Sequence, residues 1–162
     1  MADIDIKNAN ESDIPTIMQF VRDLAEYEKA LHEVHATEQD LHHALFGPDA
    51  RAHAVICRIQ GKPVGFALFF FNYSTWMGKY GLFLEDLYVA PDARGSGAGK
   101  GLLQYLAKLA VAKDCARFEW NVLDWNQPAI DFYEAFGATA QNEWIGYRLS
   151  GDALMDFAKQ SN

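Results

Sequence analysis

Hydrophobic and polar positions change period along this chain, and each change predicts an element. Ile4 and Ile6 alternate with polar neighbours, the two-residue period of a short first strand. Apolar residues then return at helical spacing as Ile14, Ile17, Met18, Val21, Leu24 and Ala25, with Ser12 and Pro15 placed for an opening turn. A helix over about 12–28 follows. Thr37 and Asp40 form a capping pair ahead of a second, shorter stripe, Leu41, Ala44 and Leu45, which Gly47-Pro48 ends. From Ala52 to Phe71 the β-branched and aromatic content rises around Gly61-Lys62-Pro63, predicting two antiparallel strands with a hairpin turn there.

Leu82 to Val89 predicts another strand, closed by Pro91, and Arg94-Gly95-Ser96-Gly97-Ala98-Gly99 leads into a helix that carries Leu102, Leu103, Leu106, Leu109 and Ala110 on one face. Phe118 to Leu123 predicts a further strand. Asn126 caps a helix that tolerates Pro128 in its first turn and stops at Gly137. A strand near Trp144 to Leu149 and a C-terminal helix from about 151 complete the order β-α-α-β-β-β-α-β-α-β with a helix appended. The strands on either side of the glycine-loop helix must run parallel, whereas the hairpin half is antiparallel. The expected fold class is α/β, with a mixed central sheet flanked by helices.

Composition narrows this further. The 162 residues predict a single domain spanning 1–162, and a chain that is 50% hydrophobic has the apolar side chains a disordered chain lacks. The longest apolar run, Val64 to Phe71, is far short of the roughly 20 residues of a membrane span, and Met1 to Asp5 does not resemble a secretory signal. A cytoplasmic protein is expected. Cys57 and Cys115 have no CxxC spacing and no ligand spacing with the histidines, so both are read as reduced, buried thiols and no metal is assigned.

Charge is uneven along the chain. Residues 1–50 hold 11 acidic and 3 basic side chains, and residues 51–162 hold 11 of each, so the whole net charge of −8 lies in the first third. Such a segment repels nucleic acid and anionic lipid and favours small cations. Asp3, Asp5, Glu11, Asp13, Glu26 and their neighbours are otherwise read as a solvated face.

Three glycines in five residues at a strand-to-helix junction let several backbone N–H groups turn toward one anion at the positive end of a helix. A P-loop does not fit, because only three residues separate Gly95 from Gly99-Lys100 and Gly101 replaces the hydroxyl. A dinucleotide fingerprint fails as well, since it needs glycine where Lys100 stands. A bare turn remains the structural alternative, although it needs only one or two of these glycines.

Arg94-x-x-Gly97-x-Gly99 resembles the Arg/Gln-x-x-Gly-x-Gly/Ala signature of the GCN5-related N-acetyltransferase superfamily, which holds the pyrophosphate of acetyl-coenzyme A. Leu84-Glu85-Asp86-Leu87-Tyr88-Val89, Trp125-Asn126 to Phe132-Tyr133, and Leu24-Ala25-Glu26-Tyr27-Glu28 resemble its diamine acetyltransferase family. Tyr73-Ser74-Thr75-Trp76 and Val122-Leu123-Asp124-Trp125-Asn126-Gln127 look more like the thialysine N-epsilon-acetyltransferase branch than the spermidine/spermine branch. The resemblance implies backbone contacts with acetyl-CoA from Leu87, Tyr88 and Val89, and a pyrophosphate site at Gly95, Ser96, Gly97, Ala98, Gly99 and Lys100, with Arg94 preceding it. It places the coenzyme near Asn126, Pro128 and Ala129, the general acid at Tyr133, and the amine near Tyr27, Glu28, Glu85 and Asp86. It also implies a homodimer. Ser74 stands where the polyamine enzymes carry an acid, which makes long polyamines the less favoured substrates.

Acetyl transfer to an amine needs an anion site, a proton acceptor for the ammonium and a proton donor for the departing thiolate. Glu85 is the first choice for the acceptor. Successive strand residues face opposite sides, so Glu85 and Asp86 share one pocket only across a bulge, for which the superfamily is known at this place. Tyr133, by spacing alone a packed aromatic, matches the family's acid. Trp76 either walls the amine channel or fills the core, and Arg94 either approaches phosphate or satisfies carbonyl groups. The expected function is acetyl-CoA-dependent N-acetylation of a small primary amine in a ternary complex. A protein lysine or N-terminus as acceptor, and a non-catalytic coenzyme sensor, are the alternatives.

Overall fold

The computed structural model describes residues 3–161. They gather into two units, one running to Leu123 and one beginning at Asp124. The first contains β1 (Ile4–Asn8), α1 (Ile14–Tyr27), α2 (Glu38–Phe46), β2 (His53–Ile59), β3 (Lys62–Ser74), β4 (Lys79–Val89), α3 (Ala98–Ala112) and β5 (Arg117–Trp120). Its sheet has the order β1-β2-β3-β4-β5, antiparallel as far as β4 and parallel between β4 and β5. The mixed sheet expected from the sequence is therefore present.

Helices cover both faces because the strands are apolar on both. Ala54 and Ile56 of β2, Phe66 of β3 and Tyr88 of β4 pack with Ile17 and Phe20 of α1, and Leu41 and Leu45 of α2 close the rim. Phe20 sits 5.9 Å from the Phe66 ring and 5.5 Å from that of Tyr88. Burying such a side chain stabilises the fold by roughly 1.5–3 kcal/mol. On the opposite face α3 buries Leu102, Leu103 and Leu106, and its Gly101 lies so close to β1 that an added Cβ would stand 3.5 Å from Ile6 Cδ1.

Local signals explain most element boundaries. Thr37 and Asp40 form the expected capping box on α2. Asn10 caps a short turn over Glu11–Asp13 that feeds α1, where Pro15 occupies the first turn. The hairpin between β2 and β3 turns at Gln60-Gly61, with φ of 51° and 77°, and not at Gly61-Lys62-Pro63. Two left-handed residues give the turn whose twist matches the strands, and Pro63 fits within β3 because the β4 ladder reaches only Gly65.

Other expectations need correction. Asp13 is not on the solvated face: it is buried and its carboxylate bonds to Arg58 at 2.6 Å. Cys57 is buried, but Cys115 is only half-buried. The strand predicted for Phe118 to Leu123 shortens to Arg117–Trp120.

The second unit contains α4 (Gln127–Ala135), capped by Asn126 as predicted, and α5 (Gly151–Lys159). Trp144 to Leu149 forms no strand among the described residues, and Trp144, Ile145, Tyr147 and Leu149 are exposed. Alternating apolar residues report a preference for extended backbone, but a strand also needs a neighbour to bond with.

Candidate active site

The end of β4 is where strand, loop and helix chemistry converge. β5 pairs with β4 only from Gly81 to Leu84, while β3 continues along β4 to Val89. Beyond Leu84 the β5 side of β4 has no ladder partner among the described residues, so Leu87, Tyr88 and Val89 present an open strand edge. The pairing shifts at the same point: Leu84 faces Phe69 and Asp86 faces Leu68, leaving Glu85 as the extra residue of a bulge.

β4 then passes through Pro91–Ala93 into the glycine loop. Gly95 and Gly97 have φ of 81° and 92°, the left-handed region that glycine occupies without strain, and Gly97 is the cap residue of α3. The Ala98 amide donates to Ser96 Oγ at 3.3 Å, and the first bond along α3 runs from the Gly101 amide to Gly97 O at 2.8 Å. The Gly99 and Lys100 amides precede that bond, at the positive end of the helix. Arg94 Nε donates to Val89 O at 3.3 Å, and its guanidinium lies 5.4 Å from the centre of the Tyr27 ring.

Two glutamates, Glu85 and Glu28, act electrostatically on Asp86 near the bulge. Glu28 follows the last turn of α1, and burial pushes its carboxyl up. Asp86 is half-buried; burial first, then the negative charges of Glu85 and Glu28, push it up to about 6. The electrostatic influence of both glutamates on Asp86 places all three in one local field.

Sequence reasoning missed part of that field. Burial raises the Tyr88 phenol, and Asp23, Asp92 and Glu26 raise it further, with Arg94 opposing them. Asp23, Glu26 and Tyr27 stand within one turn of α1, a spacing that could have marked them as one helix face. With Tyr88, Pro91 and Arg94 they line a depression of about 440 Å³ beside the loop. A separate cavity of about 400 Å³, near His53, Phe69 and Lys113, contains none of the predicted site residues.

Trp76 is 81% exposed at the tip of the β3–β4 hairpin, so it does not fill the core. Ser74 is buried there, and its Oγ accepts from the Met77 amide at 3.2 Å. In the second unit, Asn126 Oδ1 accepts from the Ala129 amide at 3.4 Å, with Pro128 in the same first turn of α4. Tyr133 lies farther along α4, its ring 5.8 Å from Phe132 and 6.3 Å from Phe136.

This arrangement, a mixed sheet whose β4 parts from β5 at a bulge and enters a glycine-capped helix, defines an acyltransferase fold. The chain belongs to the Acetyltransferase (GNAT) family, which matches residues 17–138. Among relatives, the thialysine N-epsilon-acetyltransferase of Mus musculus is 37% identical over 169 residues, covering 98% of this chain and 99% of that protein. The spermidine/spermine N(1)-acetyltransferase-like protein 1 of Homo sapiens is 32% identical over 163 residues, covering 94% of this chain and 23% of that protein. Among solved structures, an integron cassette protein from the mobile metagenome of V. cholerae matches with a TM-score of 0.80 and 28% identity, over 99% of both chains. No helix among the described residues is long and apolar enough to cross a membrane.

Proposed function

We propose that this acetyltransferase transfers an acetyl group from acetyl-CoA to the primary amine of a small diamine or a lysine analogue such as thialysine. The carrying observation is the bulge at Glu85, which joins an open strand edge to a group of carboxylates. An open edge followed by left-handed glycines suits an extended ligand that bears amides and a pyrophosphate. Leu87, Tyr88 and Val89 would hold its amide-bearing arm, and Gly95, Ser96, Gly97, Ala98, Gly99 and Lys100 its pyrophosphate. Arg94 shapes this loop through Val89 and Tyr27. Asn126, Pro128 and Ala129 complete the coenzyme contacts. When bound, acetyl-CoA supplies an acetyl group activated as a thioester.

Glu28, Glu85 and Asp86 attract the protonated amine and take up its proton, Tyr27 and Trp76 provide aromatic surface for it, and Tyr133 protonates the departing thiolate. The full-length relative named for thialysine and the neutral Ser74 support a short acceptor over a long polyamine. The family match crosses from the first unit into the second, which supports reading 1–162 as one catalytic domain. A cytoplasmic homodimer belongs to the same proposal. The free thiols of Cys57 and Cys115 support the compartment, and exposed Tyr73, Trp76, Met77 and Tyr80 on one hairpin support the pairing.

Coenzyme A release measured with thialysine, short diamines, spermidine and spermine tests this reading. Thialysine or a short diamine should give the highest kcat/KM, and Tyr133→Phe should lower kcat by about 10²- to 10⁴-fold without unfolding the protein. Preference for spermine would overturn the substrate assignment, and near-normal turnover of the Phe variant would remove Tyr133 from the chemistry.

A further inference from the structure

The second cavity lies at the far end of α3 from the glycine loop. Gly97 caps the first turn of this 15-residue helix and Lys113 its last, a separation of about 22 Å along the axis. The end of α3, the start of β2 and the end of α2 enclose about 400 Å³ there, a volume in the range of small-ligand sites. Among the described residues, none that is assigned to the amine or to acetyl-CoA lines it.

One side of the cavity is aromatic. The His53 ring of β2 stacks 5.4 Å from Phe69 and stands 5.5 Å from Phe71, and the two phenylalanines meet edge to face at 6.1 Å. Phe69 is buried, and Phe71, Phe46 and Leu109 are half-buried, so an apolar body placed against them gains by displacing water. The charge of the cavity is positive. Lys113 and His53 are the titratable residues of its described lining, and no acid stands with them in a chain of net charge −8. Asp114, next to Lys113, is held by Lys79 at 2.9 Å. Among the described residues, neither the Lys113 ammonium nor the His53 imidazole has a hydrogen-bond or ion-pair partner.

We propose that this cavity is a second ligand site, which binds a small carboxylate with an aromatic or branched apolar body, the body against Phe69 and Phe71 and the carboxylate bonded to Lys113 and His53. Such a ligand answers both features of the lining. A neutral apolar molecule leaves the ammonium unused, and a cation is repelled by it. Burial first, and then the charge of Lys113, push the His53 imidazole below its ordinary range, so it is neutral at neutral pH. Asn8 of β1, Phe69 and Phe71 of β3, and Leu45 and Phe46 of α2 carry no charge, which leaves Lys113 of α3 as the charged group facing it. A bound carboxylate offsets that charge and favours the imidazolium. Binding therefore takes up a proton and tightens as the pH falls.

The test titrates hydrocinnamate, and its uncharged counterpart hydrocinnamamide, into the full chain with and without saturating acetyl-CoA, followed by calorimetry and by NMR of the backbone amides. Hydrocinnamate should bind saturably with a Kd below about 1 mM, unchanged by acetyl-CoA, and should shift the amides of Ala52, Ala54 and Leu109. The uncharged counterpart should bind at least about tenfold more weakly, a comparison made on the wild type alone. Lys113→Gln should lose at least about tenfold. His53→Phe keeps a ring beside Phe69 and Phe71 and should lose the tightening seen in the wild type from about pH 8 to about pH 5.5. Both substituted positions are exposed, so both variants should keep the wild-type circular dichroism spectrum. Absence of saturable binding, equal affinity for the uncharged counterpart, or undiminished affinity in Lys113→Gln would overturn the proposal. Competition by acetyl-CoA, with shifts confined to β4 and the glycine loop, would place the probe in the acetyl-transfer site and overturn it as well.

Discussion

Asp13 joins two parts of the first unit. Its carboxylate accepts from the Asn10 amide at 2.9 Å and bonds to Arg58 Nη2 at 2.6 Å, tying the start of α1 to β2. The side chains are 7% and 22% exposed, so Asp13→Ala leaves the guanidinium in a site largely closed to water. Removing one partner of a buried pair costs about 3–5 kcal/mol, and urea unfolding should show that loss with little change in m. Adding Arg58→Met should recover part of it, whereas a loss below about 1 kcal/mol would mean that the pair behaves as a surface contact. This role was illegible because the partners are 45 residues apart. The Thr37–Asp40 box was legible because its two members lie within one helical turn. Ser74 belongs with Asp13: its residue type showed the missing charge, but its bond to the Met77 amide required the folded hairpin.

At the scale of elements, helices and turns were written locally and the open edge of β4 was not. The stripes on α1 and α3 marked their buried faces, although Phe20, which stacks on Phe66, lay outside the predicted α1 stripe. The separation of β4 from β5 depends on how far a parallel neighbour extends, and nothing within Leu84 to Val89 encodes that length. The bulge was expected only from the family resemblance, and the strand expected at Trp144 to Leu149 did not form. The glycine loop was the clearest local signal. Gly97 caps α3 at φ 92°, where a β-branched residue is strained by about 1–3 kcal/mol. Gly97→Val should therefore displace the loop amides and weaken acetyl-CoA binding about tenfold or more in calorimetry, with the sheet retained by circular dichroism. Unchanged affinity in the folded variant would place the pyrophosphate elsewhere.

For the whole molecule, charge distribution links the sequence to the proposed substrate. The net charge of −8 arises within residues 1–50, and the fold brings part of that segment to the end of β4. Asp23 and Glu26 act on Tyr88, while Glu28 acts on Asp86, so the acidic excess meets the strand's own Glu85 and Asp86. A field built by many exposed charges raises the encounter rate of a cation, and salt screens it over about 10 Å at 0.1 M and about 3 Å at 1 M. A diamine carrying two positive charges should respond more strongly than a monoamine of similar length. At saturating acetyl-CoA, raising the salt from about 0.01 M to about 0.5 M should lower kcat/KM for the diamine more steeply, with kcat for both amines nearly unchanged. Equal slopes for the two amines would show that the acidic third of the chain does not guide the substrate, leaving recognition to the contacts made after it arrives.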